Sequence, residues 1–231
     1  ERHGSYFTPM IWVEKSQEYL ANVLGENWQD EYYVWDCAAG TGNLLAGLTN
    51  RHNLWASTLE QADVDTIKER IQNGANLFGN HVFQLDFLND PLTDYTKEDG
   101  TLAKSKVPAE LQNIIKDPER RKKLVIYINP PYAEGDNRKG RRRQYTHSQG
   151  LWGSMGYAKR ELYIQFLTRV YREIPTAVLA DFSTLKNLQA PKFSDFRRMF
   201  KATPKAMFIV PANTFDNVKG DFPIGFKVWR T

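Results

Sequence analysis

Leu124-Val125-Ile126-Tyr127-Ile128-Asn129-Pro130-Pro131-Tyr132 is the stretch that decides the fold. Five consecutive apolar residues suit a strand covered on both faces, as in a parallel sheet flanked by helices. The two prolines then halt the strand and remove two backbone donors. Upstream, residues 33–37 form a second short apolar run, and Asp36 leads into Ala38-Ala39-Gly40-Thr41-Gly42-Asn43. This reads as a strand entering a small-residue loop that opens a helix. Further strands are expected at 54–59, 82–85, 176–182, 206–210 and 225–229, the last with alternating pattern. Helices are expected at 11–24, 63–72, 109–115, 160–173 and 194–200. Strands separated by helices predict an α/β fold with a mostly parallel sheet and helices on both faces. In such sheets ligands bind beyond the carboxyl ends of the strands. Residues just after strands therefore carry the functional reading.

Composition agrees with one folded unit. The chain has 231 residues, 31 Lys+Arg against 27 Asp+Glu and a net charge of +4. That length is enough to bury a core without metal or disulfide support. The single cysteine, Cys37, excludes an intrachain disulfide and a cysteine-built zinc site. It suits a reducing, cytoplasmic setting, and its place in the loop suggests small buried packing. No run approaches ~18 apolar residues, so no membrane span is expected. His3, His52, His81 and His147 lack metal-ligand spacing, so no metal is assigned.

Four post-strand motifs carry chemistry. The glycines of the 38–43 loop let a ligand approach the backbone closely. The loop lacks the Lys-Ser/Thr of a phosphate loop and the third glycine of the dinucleotide pattern. Asp36 beside it suits a ligand bearing a positive group. Glu60, after the second strand, can accept both hydroxyls of a ribose; a helix-start acid is the plainer reading, and Asp63 competes with it. Asp86 could accept a proton from an adenine amino group while Phe87 packs on the ring, although a turn acid beside a core phenylalanine also fits. Asn129-Pro130-Pro131-Tyr132 is the most specific. Asn129 offers a side-chain acceptor, Pro130 a carbonyl and Tyr132 a flat face, which together suit a planar ring bearing an NH2 group.

With these residues in order, the sequence resembles the amino-methylating DNA methyltransferases that use S-adenosylmethionine (SAM), of the N6-adenine type and the gamma motif order. The likeness runs along nearly the whole chain. Gly4-Ser5-Tyr6-Phe7-Thr8-Pro9 looks like the motif that borders the methionine end of the cofactor. Asp36 to Asn43 looks like the main cofactor loop, which implies Asp36, Ala38, Gly40, Gly42 and Asn43 as contacts alongside Thr8 and Pro9. Glu60 matches the ribose acid, and Asp86-Phe87-Leu88 the adenine segment. Asn129, Pro130, Pro131 and Tyr132 match the catalytic motif. Glu161-Leu162-Tyr163 with Phe166 resembles the next helix motif, whose phenylalanine packs on cofactor adenine. Gly220-Asp221-Phe222-Pro223 resembles a late motif whose phenylalanine stacks on the flipped base. Two departures stand out: Ala62 occupies a position that often carries a second acid, and no target-recognition domain follows the late motif within the sequence.

The resemblance implies a Rossmann-like class I methyltransferase fold with a seven-stranded sheet, a single catalytic domain over 1–231 with a basic insertion at 133–157, SAM as methyl donor and S-adenosylhomocysteine as product. It implies adenine in DNA as substrate and a restriction-modification or related role, with a fused or partner nuclease and a recognition domain left open, as is oligomeric state. Asn129 and the Pro130 carbonyl would accept the two amino hydrogens and direct the nitrogen lone pair at the methyl group, while Tyr132 stacks on the base. Arg138-Lys139-Gly140-Arg141-Arg142-Arg143 places five cations in six residues just after the catalytic motif. These would contact DNA phosphates, with Tyr145, His147 and Trp152 nearby for bases. Competing readings are a methyltransferase acting on glutamine in protein or on RNA, and a non-enzymatic DNA-binding module.

Overall fold

The computed structural model describes residues 7–132, 154–215 and 220–231. Its strands are β1 (Tyr33–Asp36), β2 (Leu54–Thr58), β3 (Val82–Gln84), β4 (Leu124–Ile128), β5 (Val178–Thr184), β6 (Thr203–Pro211) and β7 (Pro223–Arg230). They form one seven-stranded sheet in the order β3-β2-β1-β4-β5-β7-β6. β4 is the middle strand, and all five of its residues are buried. Strands β1 to β5 pair in parallel, whereas β7 runs antiparallel between β5 and β6. This is the class I methyltransferase variant of the Rossmann-like fold, with the mostly parallel sheet that the sequence predicts.

Alternate residues of each central strand feed two separate cores. Val34, Val125 and Tyr127 meet Val13 and Leu20 of α1 (Met10–Leu24) and Val64 and Ile67 of α2 (Gln61–Gln72). Trp35, Ile126 and Ile128 meet Leu111 and Ile114 of α3 (Ala109–Lys116) and Tyr163, Leu167 and Val170 of α4 (Leu162–Glu173). Strand order runs outward from β1 to β3, then resumes at β4 on the other side of β1. That reversal opens a crevice above the carboxyl ends of β1 and β4, where ligands bind in open α/β sheets.

One expectation needs correction. The 38–43 loop does not open an α-helix: only one 3-10 turn follows, Asn43–Leu45. Gly42 and Gly47 both take positive φ, +88° and +84°, and the chain must re-enter the sheet at Leu54, so no helix has room. The strand expected at 225–229 is present as part of β7. Residues 224–229 of β7 are all buried, because the strand is inserted between two neighbours. Beside the expected helix, the segment 89–123 holds a two-stranded ribbon, Tyr95–Thr96 with Leu102–Ala103, and a helical turn at Pro118–Arg121. No helix among the described residues is long and apolar enough to cross a membrane.

Candidate active site

A cavity of about 550 Å³ lies above the carboxyl ends of β1, β2, β3 and β4. It gathers residues from six separate stretches of chain: Thr8, the 36–44 loop, Thr58 to Glu60, Leu85 to Leu88, Asn129 with Pro131, and Leu162 with Phe166. Among the expected residues, Thr8, Asp36, Ala38, Gly40, Asn43, Glu60, Asp86, Phe87, Asn129, Pro131 and Phe166 line it. Pro9, Gly42, Pro130 and Tyr132 lie off its wall. Pro9 instead starts α1, accepting from the Trp12 and Val13 N–H groups. Gly42 turns the loop in the left-handed region.

Asp36 closes β1 and is 1% exposed. Its Oδ1 accepts one hydrogen bond, from Ala38 N–H at 3.0 Å. Burial pushes its carboxyl up to about 8, against the smaller lowering effect of that N–H. A three-residue helical turn after the loop adds little macrodipole to help. The carboxylate is thus desolvated with no ion pair among the described residues, and a cationic group entering the cavity would stabilise its charged form. Burial, and then the neighbouring Asp36, push the Cys37 thiol up, so it stays protonated and unreactive.

The loop itself is tied down from α2. Arg70 donates to the Thr41 carbonyl (2.8 Å) and to Asn43 Oδ1 (3.0 Å). Asn43 therefore serves the loop's shape as well as lining the cavity. The Thr41 hydroxyl, on the same wall, is buried without a hydrogen-bond partner among the described residues. Glu60 is exposed on the cavity rim at the start of α2, and its side chain makes no capping bond there. Asp63 also lines the cavity but is buried, with Thr58 Oγ1 at 3.5 Å.

The opposite wall is aromatic. Phe87 and Phe166 stack with ring centroids 5.2 Å apart and planes 20° apart. No third ring fits between them, so they form one surface rather than two jaws. Asp86 behaves as a turn acid: Oδ1 accepts from Leu88 N–H (3.0 Å) and Oδ2 from Asn89 Nδ2 (2.9 Å). Its remaining lone pairs are available to a ligand donor.

At the fourth side, Asn129 follows β4 directly. Its Nδ2 donates to Thr8 Oγ1 at 2.9 Å, and its Oδ1 accepts from the Tyr132 hydroxyl at 2.7 Å. The same hydroxyl lies 3.1 Å from the Phe182 carbonyl. The amide is thus held from both ends by residues 121 and 3 positions away. Tyr132 packs its ring against the α1-side core instead of projecting over the cavity. Phe222 packs on that same core and does not line the cavity. β7 runs antiparallel, so Phe222 sits at the carboxyl edge of the sheet, as the catalytic motif does.

Arg138, Lys139, Arg141, Arg142 and Arg143, with Tyr145, His147 and Trp152, lie outside the described residues, as do His3 and residues 4–6. Within the 133–157 segment, Met155 is described and fully buried, its sulfur accepting from the Thr168 hydroxyl. Sequence reasoning missed Thr58, Leu59 and the two arginines that brace the walls, Arg70 and Arg169. Arg169 lies in the apolar run of α4, four residues before Glu173, but nothing local points to its backbone acceptors. Among the described residues no group of three His, Cys, Asp or Glu could hold a metal ion.

No protein-family model matches the chain, and no curated protein matches it. Solved structures do. The DrdV–DNA complex superposes with a TM-score of 0.70 at 16% identity, covering 100% of this chain and 27% of that one. The ATP-dependent Type ISP restriction-modification enzyme LlaBIII bound to DNA gives 0.60 at 12% identity, covering 100% and 19%. A putative class I SAM-dependent methyltransferase from Listeria monocytogenes gives 0.53 at 15% identity, covering 97% and 60%. The chain thus spans about a quarter or less of the first two proteins (27% and 19%). At these identities the likeness is one of fold: the chain has the fold of class I SAM-dependent methyltransferases.

Proposed function

We propose that this chain is a SAM-dependent methyltransferase domain acting on the N6 amino group of adenine in DNA, in a restriction-modification or related system. One observation carries the reading. Asn129, from Asn-Pro-Pro-Tyr, shares a single cavity with a buried uncompensated carboxylate (Asp36), a rim acid (Glu60) and an aromatic wall (Phe87, Phe166). The residues fit SAM chemically. Asp36 suits its cationic methionine end, Glu60 a ribose diol, and the aromatic wall with Asp86 a purine bearing an amino group. Thr41 offers a buried hydroxyl that lacks a partner among the described residues. Solved structures of similar fold include enzymes bound to DNA, which supports DNA as the partner.

SAM supplies an activated methyl group and a good leaving group. The chain's own task is to orient and polarise the acceptor. Adenine N6 is a weak nucleophile because its lone pair is delocalised into the ring. Asn129 Oδ1 and the Pro130 carbonyl accept the two amino hydrogens, which localises the lone pair and points it at the methyl. Acceptors fixed beforehand in a water-poor site act most strongly. Thr8 holds the Asn129 amide with its oxygen available. When the substrate claims that oxygen, the Tyr132 proton turns to the Phe182 carbonyl at 3.1 Å. A duplex base must be flipped out to arrive here, at a cost of a few kcal/mol. Tyr132 and Phe222 stand at the same sheet edge but pack on the α1-side core, so stacking on the base requires their rings to turn outward, while the cations at 138–143 hold phosphates.

The test is methyl transfer. The chain is incubated with isotopically labelled SAM and separate pools of duplex DNA, RNA and protein, and the digested products are identified by mass spectrometry. Labelled N6-methyladenine from DNA, abolished by Asn129→Ala, is the expected result. Label in RNA or in glutamine overturns the DNA assignment, and a protein that binds no SAM overturns the enzyme reading.

A further inference from the structure

The turn after β3 satisfies its own N–H groups and leaves its carbonyls to others. Asp86 accepts from Leu88 N–H and Asn89 Nδ2, Asp86 N–H donates to Asp90 Oδ2, and the Asn89 and Asp90 N–H groups return to the Asp86 carbonyl. The carbonyls of Phe87 and Asp90 remain, and a buried carbonyl needs a donor. Arg169 supplies it. From α4 its guanidinium donates to the Phe87 carbonyl and to the Asp90 carbonyl (2.7 Å). The same guanidinium lies 5.4 Å from the centroid of the Phe87 ring. Glu173, one helical turn on, provides the counter-charge at 3.0 Å.

Arg169 is 1% exposed. Burying a guanidinium is costly unless its donors are used, and the planar fork reaches two carbonyls where a lysine reaches them less well. Phe166, which stacks on Phe87, lies on the same helix one turn before Arg169. One helix therefore supplies half of the aromatic wall and fixes the other half in place. Arg169 itself is off the cavity wall. We infer that Arg169 is a positioning residue for the purine end of the methyl donor: by holding the carbonyls of Phe87 and Asp90 it sets where the Asp86–Phe87 wall stands. The inference rests on the reading of the cavity as a SAM site.

The experiment compares the full chain with Arg169→Lys, Arg169→Met and Glu173→Gln. It reads Kd and KM for SAM, kcat, and amide hydrogen exchange at residues 86–90 without ligand. Both Arg169 variants should raise Kd and KM about tenfold, the scale of a slightly displaced binding group. At saturating SAM, kcat should stay within about threefold, since binding rather than the transition state is affected. Exchange at 88–90 should speed up. Glu173→Gln should keep SAM affinity within about twofold, because both carbonyl bonds persist and the glutamine oxygen still accepts from the guanidinium. Wild-type affinity and exchange in the Arg169 variants would overturn the inference, as would a fall in kcat at unchanged KM. Should Arg169→Met fail to fold, Arg169→Lys decides by the same readings. A wild-type chain that binds no SAM removes the underlying reading, whereas equal SAM binding by wild type and variants removes only the role of Arg169.

Discussion

Two aspartates sit equally deep in this molecule and are treated in opposite ways. Asp181, in β5, is 0% exposed; Asp36, at the end of β1, is 1% exposed. Asp181 accepts from Ser183 Oγ (2.5 Å) and Trp229 Nε1 (3.0 Å), and the ammonium of buried Lys227 lies 3.6 Å away. Lys227 is itself surrounded by the Ser183 and Thr184 carbonyls, Ser183 Oγ and Asn187 Oδ1. Asp36 has a single N–H from the backbone. The first carboxylate is complete within the fold. Among the described residues the second has no cation beside it, and it faces a cavity. A buried acid with no counter-charge beside it marks where a cationic ligand would stabilise its charged form.

Removing the cation from Asp181 breaks this contrast. Lys227→Met should cost about 3–5 kcal/mol in urea unfolding, because it strands a buried carboxylate and several acceptors. The matching change at the other site has the opposite character. Asp36→Asn should weaken SAM binding by about tenfold to a hundredfold, the scale of a charged hydrogen bond, as read by calorimetry. It should not weaken the ligand-free fold. The sign follows from burial. Asp36 titrates near 8 in the fold against 3.8 ordinarily, so the folded state binds the extra proton. Its contribution is full below 3.8 and is lost as pH rises through about 8. The ligand-free wild type should therefore lose stability between these values relative to Asp36→Asn. The smallest expected effect is that of Trp229→Phe, which removes one hydrogen bond from Asp181 and should cost about 1 kcal/mol.

The two sites also differed in how far the sequence revealed them. Asp36 was legible because it ends an apolar run and precedes Gly40 and Gly42, so local order alone places it above the sheet. The same held for Glu60, Asp86 and Asn129, each just after a strand. The Asp181–Lys227 pair was not legible, since its partners lie 46 residues apart and meet only when β7 inserts beside β5. An isolated lysine in an alternating strand reads as an exposed face. Arg169 was hidden for the same reason: its acceptors are backbone carbonyls 82 and 79 residues away. The missing helix after the glycine loop failed differently. The loop's composition suits a helix start, but Gly47 and the short path to β2 prevent one.

The central claim is that the cavity takes SAM with a cationic group against Asp36. Titration calorimetry of SAM at pH 7 in two buffers of different ionisation enthalpy tests it most directly. With Asp36 near 8 before binding, the account predicts saturable binding with release of about one proton, and loss of that release in Asp36→Asn. Absence of binding in either buffer, or binding whose heat is the same in both, would contradict it.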